Sequence, residues 1–391
     1  MRVLLREAAE YAYRQDGAER PIDFHRRLPG YGLTPLVEAP QLAAKLGVAR
    51  VLVKNETSRF GLPSFKILGA SWASYVALRE RLGPITDGPL TLAALQSWAA
   101  PVHSITLVAA TDGNHGRAVA RVASWFGLRA RIYVPNFVAE SRRRAIENEG
   151  AELVVIDGNY DAAVDAALIA SEGSGLLLIS DTARAESEVI PRVVSEGYTT
   201  AFVEAEEQLT ASGQDRIDAV GVQAGVGGLA AAATNWARTI RTASPVQVIV
   251  TEPENAACVF TSLAAGEPKT VGADQDTAMA VLQCGTVSLT AFPILRAGVG
   301  CCLAIDDSAA LAAVAELRTS GIETGPSGAA GLAGVLAGLT GSFANPIKQH
   351  LGLSSNSGLL FVATESPEAA GSYPQGTPSQ AEPVLSEPVT S

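Results

Sequence analysis

Residues 55–70 read NETSRFGLPSFKILGA and place one lysine, Lys66, where a turn gives way to an apolar helix. Ser64 is a candidate N-cap, and apolar residues recur at helical spacing from Ile67 to Ala77. An amine in the first turn of a helix is partly desolvated and lies near the positive end of the helix dipole. We therefore expect Lys66 to lose proton affinity and to be a good Schiff-base nucleophile at neutral pH.

Two glycine-rich segments elsewhere in the chain have the pattern of a loop between a strand and a helix. They read TDGNHG over residues 111–116 and GVGGLA over residues 225–230. In the second loop, consecutive backbone N–H groups can converge on a phosphate, whose charge the helix dipole favours. Taken alone, this loop also fits tight helix–strand packing or a dinucleotide site, for which Glu252 lies at a suitable distance. The lysine motif decides against the dinucleotide site.

Strands alternate with helices along most of the chain, which predicts parallel pairing in a layered α/β fold. The order of the three motifs resembles the fold-type II family of pyridoxal-phosphate-dependent enzymes (tryptophan synthase beta-like), and within it the diaminopropionate ammonia-lyases. The resemblance runs from about Thr34 to Glu365. It implies two doubly wound three-layer α/β/α domains with mostly parallel sheets. The large cofactor domain would comprise residues 1–74 and 196–365, and a small domain that closes over the substrate would comprise residues 75–195.

The resemblance also implies the residues of the site. Lys66, Asp112 and Asp181 would be catalytic, with Lys66 carrying pyridoxal phosphate and, once freed, acting as a base. His115, which lies in the TDGNHG loop, is interpreted as structural. The cofactor-binding residues would be Lys66, Asn114, Gly225, Val226, Gly227, Gly228, Leu229 and Thr364, and the substrate-binding residues would be Thr111, Asp112, Gly113, Asn114 and Asp181.

The two aspartates bear on the identity of the substrate. Serine and threonine dehydratases usually lack an aspartate at the position of Asp112, so a carboxylate there indicates a cationic substrate side chain. An Asp-Gly turn that caps a helix is the alternative. Asp181 lies at the end of an apolar strand. Parallel sheets bind ligands at the carboxyl ends of their strands. The chain departs from the family at residues 183–187 and 366–367, which leaves the substrate's identity open.

Elimination of ammonia from 2,3-diaminopropionate, which yields pyruvate and ammonia, is the activity that the resemblance implies. Pyridoxal phosphate would be the electron sink for loss of the α-proton, and Asp112 would allow the D-isomer to react from the opposite face. The alternative is β-elimination or β-replacement on serine, threonine or another β-substituted alanine. A catalytically silent relative and a nicotinamide oxidoreductase are two further alternatives from other classes.

Composition limits the partners and the location. With 391 residues and a net charge of −11, the chain is long enough for two domains, and its charge argues against nucleic acid or an anionic membrane as a partner. Four cysteines show no metal-type spacing, so we predict reduced thiols and no metal site.

The sequence shows no signal peptide and no transmembrane stretch, so a cytoplasmic location is expected. A homodimer is implied by the resemblance, and residues 366–391 are predicted to be a disordered tail.

Overall fold

The structure is a computed structural model that describes residues 1–7, 19–111, 113–185, 188–213, 216–239, 245–272 and 276–370. The role of Asp112 falls outside these residues, and so does most of the tail of residues 366–391 that is predicted to be disordered; within that tail, Pro367–Ala370 form a helix. Within the described residues the strands are β1 (Arg2–Leu5), β2 (Leu36–Glu38), β3 (Arg50–Asn55), β4 (Thr106–Ala110), β5 (Arg129–Pro135), β6 (Glu152–Ile156), β7 (Leu176–Leu178), β8 (Ala219–Gln223), β9 (Gln247–Pro253), β10 (Val299–Ile305) and β11 (Gly358–Ala363).

The helices alternate with these strands and pack on the sheets that they form. They are α1 (Pro21–His25), α2 (Pro40–Leu46), α3 (Ile67–Leu82), α4 (Leu92–Ala99), α5 (Asn114–Phe126), α6 (Glu140–Glu147), α7 (Tyr160–Ser171), α8 (Val189–Ala211), α9 (Gly228–Thr239), α10 (Cys258–Ala265), α11 (Phe292–Gly298), α12 (Asp307–Thr319), α13 (Pro326–Thr340), α14 (Ala344–Leu351) and α15 (Pro367–Ala370).

The strands form two sheets. The larger sheet has seven strands in the order β1-β10-β9-β8-β11-β3-β2, and the smaller has four in the order β6-β5-β4-β7. Only the edge strands β1 and β2 pair with their neighbours in antiparallel orientation; the other paired strands are parallel. The predicted α/β fold with mostly parallel sheets is confirmed. The predicted domain boundaries after residues 74 and 195 fall inside α3 and α8, and the division into domains stays a prediction.

Residues 1–33 show no clear hydrophobic periodicity and are interpreted as an irregular arm, and neither strand β1 nor strand β10 is recognised from the sequence. They pair with each other, from Arg2 opposite Ala304 to Leu5 opposite Cys301. The arm also contains α1, which packs against α3 and α8. Strand β1 has only four residues, and a strand this short carries too little alternation to be recognised from sequence.

The lysine motif folds differently from the prediction at its start. Helix α3 begins at Ile67, and Lys66 directly precedes it with helical backbone angles, φ −56° and ψ −25°. The predicted Ser64 N-cap is wrong, since no side chain caps this helix. Ser64 instead pairs through its backbone with Glu365, just beyond β11. The lysine is thereby held between the start of a buried helix and the end of a central strand.

Helices α3 and α8 cross at two glycines just after the lysine. A Cβ added at Gly197 would lie 2.4 Å from the carbonyl oxygen of Leu68 and 2.8 Å from the Cα of Gly69. A Cβ added at Gly69 would lie 2.5 Å from the ring of Tyr198. Only glycine lets the two backbones approach this closely.

A buried charge cluster, formed by Lys54, Glu56, Arg59 and Glu204, ties β3 and the lysine motif to α8. Each of these side chains is at most 1% exposed. The Nη2 atom of Arg59 lies 2.5 Å from Glu56 Oε1 and 2.7 Å from Glu204 Oε2, and Lys54 Nζ lies 2.8 Å from Glu204 Oε2. Because two cations face two anions, the charges of these four side chains compensate one another.

No single helix in the described part of the chain combines the length and hydrophobicity that a membrane crossing requires. Helices α13 and α14 reach that threshold only when taken together, and they are bent by 109° at their junction.

Candidate active site

A cleft opens where the carboxyl ends of β4, β8 and β11 face one another, with α3 and α8 forming part of its wall. Its empty volume, counted out to the open mouth, is about 760 Å³. Most of the predicted site residues line it, namely Lys66, Thr111, Asn114, Asp181, Gly225, Val226, Gly227, Gly228, Leu229 and Thr364. Of the others, Gly113 donates its backbone N–H to Thr111 Oγ1 at 2.9 Å, and Asp112 lies outside the described residues.

Lys66 and Asp181 meet in this cleft. The Lys66 ammonium donates to Asp181 Oδ2 at 2.7 Å, although the two residues come from different elements, one before α3 and the other after β7. The sequence predicts both residues but gives no sign of their contact. The structure brings them together because α3 packs against α5, which covers the smaller sheet, and also against α8.

The charge state of Asp181 follows from its neighbours. Burial by itself would raise the pKa of this carboxyl, but the charges of Lys66 and His115 and hydrogen bonds from Lys66 and Tyr160 lower its pKa well below its usual range. His115 Nδ1 lies 4.0 Å from Asp181 Oδ2. Asp181 is therefore a buried carboxylate that stays ionised at neutral pH.

His115 fills a structural position. Its side chain is buried, and its Nε2 donates to the backbone oxygen of Ile179 at 2.7 Å. This bond anchors the start of α5 to the segment that carries Asp181, and the structural interpretation of His115 stays a prediction.

The glycine loop forms a cradle at the start of α9. The loop joins β8 to α9, which begins at Gly228, and the first N–H groups of a helix have no partner within it. Gly227 has a positive φ of +96°, which other residues rarely adopt. A Cβ added at Gly225 would lie 3.0 Å from Cys284 Sγ, and one added at Gly228 would lie 3.2 Å from Ser195 Oγ. These residues fit a phosphate group, because backbone N–H groups can approach a phosphate closely where no side chain stands in the way.

Two side-chain pairs at the end of β11 complete the floor of the cleft. Gln223 donates from Nε2 to Thr364 Oγ1 at 2.6 Å, and Asn114 donates from Nδ2 to Glu365 Oε2 at 2.7 Å. Thr364 and Asn114 therefore lie at the same end of the cleft. Their predicted contacts with the cofactor ring stay predictions.

Sequence reasoning missed four residues of the site, namely Tyr160, Tyr198, Gln223 and Glu365. Tyr160 donates its hydroxyl to Asp181 Oδ1 at 3.2 Å. Tyr198 is buried with its ring 5.7 Å from Lys66 Nζ, and burial raises the pKa of its hydroxyl well above the usual range. No motif marks either tyrosine, but Glu365 and Gln223 lie next to predicted segments at strand ends, which is a signal that could have found them.

Glu252 does not fit the dinucleotide alternative. Its carboxylate accepts the backbone N–H groups of Val259 and Phe260 at 2.8 and 2.6 Å, so it caps the start of α10. The residue is fully buried and does not line the cleft. The thiols of Cys258, Cys284, Cys301 and Cys302 are buried and are not joined in disulfides, and Cys284 lines the cleft. Over the described residues, no group of three or more His, Cys, Asp or Glu side chains is placed to hold a metal ion.

Comparisons with known proteins agree with this geometry. The family model described as "Pyridoxal-phosphate dependent enzyme" matches residues 27–346. Diaminopropionate ammonia-lyase of Salmonella typhimurium is 33% identical over 352 residues, which cover 88% of this chain and 87% of that protein. The crystal structure of diaminopropionate ammonia lyase from Escherichia coli in complex with D-serine has a TM-score of 0.80 at 32% identity, covering 89% of this chain and 88% of that one. The biosynthetic L-threonine dehydratase of Mycobacterium bovis is 33% identical over 239 residues, which is 59% of this chain and 52% of that protein.

Proposed function

Because the chain belongs to the family of pyridoxal-phosphate-dependent enzymes, we propose that it is a carbon–nitrogen lyase that eliminates ammonia from 2,3-diaminopropionate and yields pyruvate. The overall reaction consumes one water and releases two ammonia for each pyruvate. The observation that carries this proposal is the 2.7 Å contact between Lys66 Nζ and Asp181 Oδ2. It puts an ionised carboxylate next to the lysine that would hold the cofactor.

Pyridoxal phosphate, when bound, supplies the electron sink that lets the α-carbon of an amino acid lose its proton. Lys66 would hold it through Nζ and, once free, would take the α-proton. The loop of residues 225–229 and the start of α9 would bind its phosphate, and Thr364 would contact the ring. Asn114 would hold the ring's oxygen, and Thr111 would bind the substrate carboxylate together with the loop that follows β4.

The ionised state of Asp181 favours a β-ammonium group over a β-hydroxyl. A carboxylate attracts an ammonium, which already carries the proton with which ammonia departs. A β-hydroxyl must gain a proton to depart as water, and an ionised Asp181 has none to give. The ammonium of Lys66 is the largest of the effects that lower the pKa of Asp181 here, and a β-ammonium group in the place of that ammonium would keep the carboxyl ionised in the same way. The site therefore suits 2,3-diaminopropionate better than serine or threonine.

The second candidate is β-elimination or β-replacement on serine, threonine or another β-substituted alanine. It is supported by the similarity to L-threonine dehydratase, and by the departure from the family pattern that begins at Ala183, directly after the Asp181 segment. Asp112 would bind the β-ammonium or act on the D-isomer. Replacing Asp112 therefore distinguishes the two candidates, and replacing Asp181 does so equally.

The resemblance further supports a homodimer in the cytoplasm, in which residues 75–195 close over the substrate. Light scattering after size-exclusion chromatography tests the dimer, because a monomer of 40.4 kDa and a dimer of twice that mass are well separated.

The test is to measure pyruvate and ammonia released by the purified, cofactor-loaded protein. L- and D-diaminopropionate are assayed beside L-serine and L-threonine. We expect two ammonia per pyruvate from diaminopropionate and much slower turnover of the two hydroxy amino acids. Turnover of serine or threonine alone would refute the lyase proposal and favour the second candidate.

Replacing Lys66 with Ala checks the assignment of the lysine. We expect the yellow colour of the lysine-bound cofactor and all measurable turnover to be lost, because no other described lysine lines the cleft. Lys348→Ala is the matched control, since Lys348 donates to the backbone oxygen of Leu46 far from the cleft. A Lys66→Ala protein with wild-type activity would overturn the assignment.

A further inference from the structure

The second oxygen of Asp181 has a partner that the proposed mechanism does not use. Lys66 occupies Oδ2, while the hydroxyl of Tyr160 donates to Oδ1 at 3.2 Å and the Tyr160 side chain lines the cleft. The two residues lie at opposite ends of the same α/β unit, because Tyr160 begins α7 and Asp181 follows β7.

The position of Tyr160 is fixed from two sides. The side chain of Asn159 caps α7, which fixes the residue at which the helix begins. Arg184, three residues after Asp181, donates to Asp161 Oδ1 at 2.8 Å. This ion pair holds the segment that follows Asp181 against the first turn of α7, and so holds the Tyr160 hydroxyl against the carboxylate. Arg184 lies in the segment where the sequence departs from the family pattern.

Tyr160 differs from Lys66 in the constancy of its charge. The groups that face this carboxylate are Lys66, His115, Tyr160 and Tyr198. Lys66 is the strongest of them, but a lysine that alternately holds the cofactor and takes a proton does not keep its ammonium charge through the reaction. Burial opposes ionisation of Asp181 throughout. The neutral hydroxyl of Tyr160 is a donor that stays in place when the Lys66 charge is absent.

We propose that Tyr160, held by the Arg184–Asp161 ion pair, is a positioning residue that determines substrate specificity by keeping Asp181 a hydrogen-bond acceptor. This inference rests on the proposed function and deepens it. With Tyr160 in place, the cleft offers an anion to a β-ammonium group. Without it, the buried carboxyl takes up a proton about tenfold more readily, and the protonated form does not attract the ammonium but can donate to a β-hydroxyl.

The first experiment compares Tyr160→Phe with wild type and with Tyr75→Phe. Tyr75 also donates its hydroxyl to a carboxylate, that of Glu19 at 2.9 Å, but does not line the cleft. For Tyr160→Phe we expect the ratio of kcat/KM for diaminopropionate to that for L-serine to fall about tenfold. The acid limb of the diaminopropionate pH profile should move up by about one pH unit, which is the same tenfold change in a protonation equilibrium. Tyr75→Phe should change neither quantity.

The second experiment separates this inference from the proposed function, because it needs no turnover. L-2,4-diaminobutyrate and L-2-aminobutyrate differ in side-chain charge, and neither has a leaving group on the β-carbon. Their dissociation constants for the loaded protein are measured from the change in cofactor absorbance. Wild type should prefer the cationic analogue, and Tyr160→Phe should lose most of that preference, even if diaminopropionate proves not to be the substrate.

A milder variant guards against misfolding of Tyr160→Phe. Asp161→Asn weakens the ion pair with Arg184 and leaves the tyrosine hydroxyl in place, so we expect a smaller change of selectivity in the same direction. If Tyr160→Phe binds cofactor normally but keeps the wild-type selectivity ratio, pH profile and analogue preference, the proposal is overturned.

Discussion

Replacement of Gly197 with alanine tests whether the crossing of α3 and α8 holds the lysine in place. The added Cβ would lie 2.4 Å from the backbone oxygen of Leu68 and 2.8 Å from the Cα of Gly69. Both atoms belong to the backbone, so a change of rotamer cannot relieve the clash and the two helices must separate. Because Lys66 directly precedes α3, such a separation would also move Nζ relative to Asp181.

The size of the effect follows from two opposing contributions. Alanine in place of glycine inside a helix stabilises by about 1 kcal/mol. Overpacking of a well-packed interior costs about 1–3 kcal/mol, and contact with two backbone atoms places this site at the upper end of that range. We therefore expect the free energy of unfolding to fall by about 2 kcal/mol, the difference between these values.

Urea unfolding of the cofactor-free protein measures this change. Gly32→Ala is the matched control, because a Cβ added at Gly32 meets no atom within 4 Å. We expect the control to match wild type, and the Gly197→Ala protein to unfold at lower urea and to bind pyridoxal phosphate more weakly. A Gly197→Ala protein as stable as both, with unchanged cofactor affinity, would refute the reasoning.

Two further substitutions test the floor of the cleft and a buried acid. Thr364→Val removes the oxygen that accepts a hydrogen bond from the Gln223 amide at 2.6 Å. The dissociation constant of pyridoxal phosphate, titrated by absorbance, should therefore rise about tenfold. The exposed Thr319→Val should leave it unchanged, and equal constants for the two variants would contradict a role of Thr364 in cofactor binding. Burial raises the pKa of Glu252 from 4.5 to about 8. Because the folded-state pKa is the higher one, the folded state binds the proton more tightly, and stability falls as pH rises between those values. Glu252→Gln should reduce the slope of the free energy of unfolding against pH, whereas replacement of the exposed Glu152 with Gln should not. A slope for Glu252→Gln equal to that of wild type would count against a neutral Glu252.

The features that the sequence predicted well are those with a local cause. The glycine loop follows from residues that alone tolerate its backbone, and the parallel sheets follow from the alternation of strands and helices. Lys66 precedes a recognisable helix, and Asp181 and Thr364 each follow a recognisable strand. Their roles came from the family resemblance and stay predictions. The sequence predicts the chemistry of a site residue only where a short segment around that residue carries the pattern.

The features that sequence analysis missed depend on packing between distant segments. Tyr160 meets Asp181 only because the α7 helix folds back on its sheet, and Tyr198 reaches Lys66 only through the glycine crossing of α3 and α8. Ser64 failed as a cap because its backbone pairs with Glu365 from the far end of the chain. A propensity for capping is worth about 1 kcal/mol, and such tertiary pairing readily overrides it.

The place of β11 in the larger sheet has a consequence for biosynthesis. It lies between β3, which leads to the lysine, and β8, which leads to the glycine loop, although both are translated long before it. A growing chain therefore holds the amine and the phosphate cradle without the strand that fixes them side by side. The pocket that would hold pyridoxal phosphate is therefore complete only when residues 358–363 have taken their place between β3 and β8.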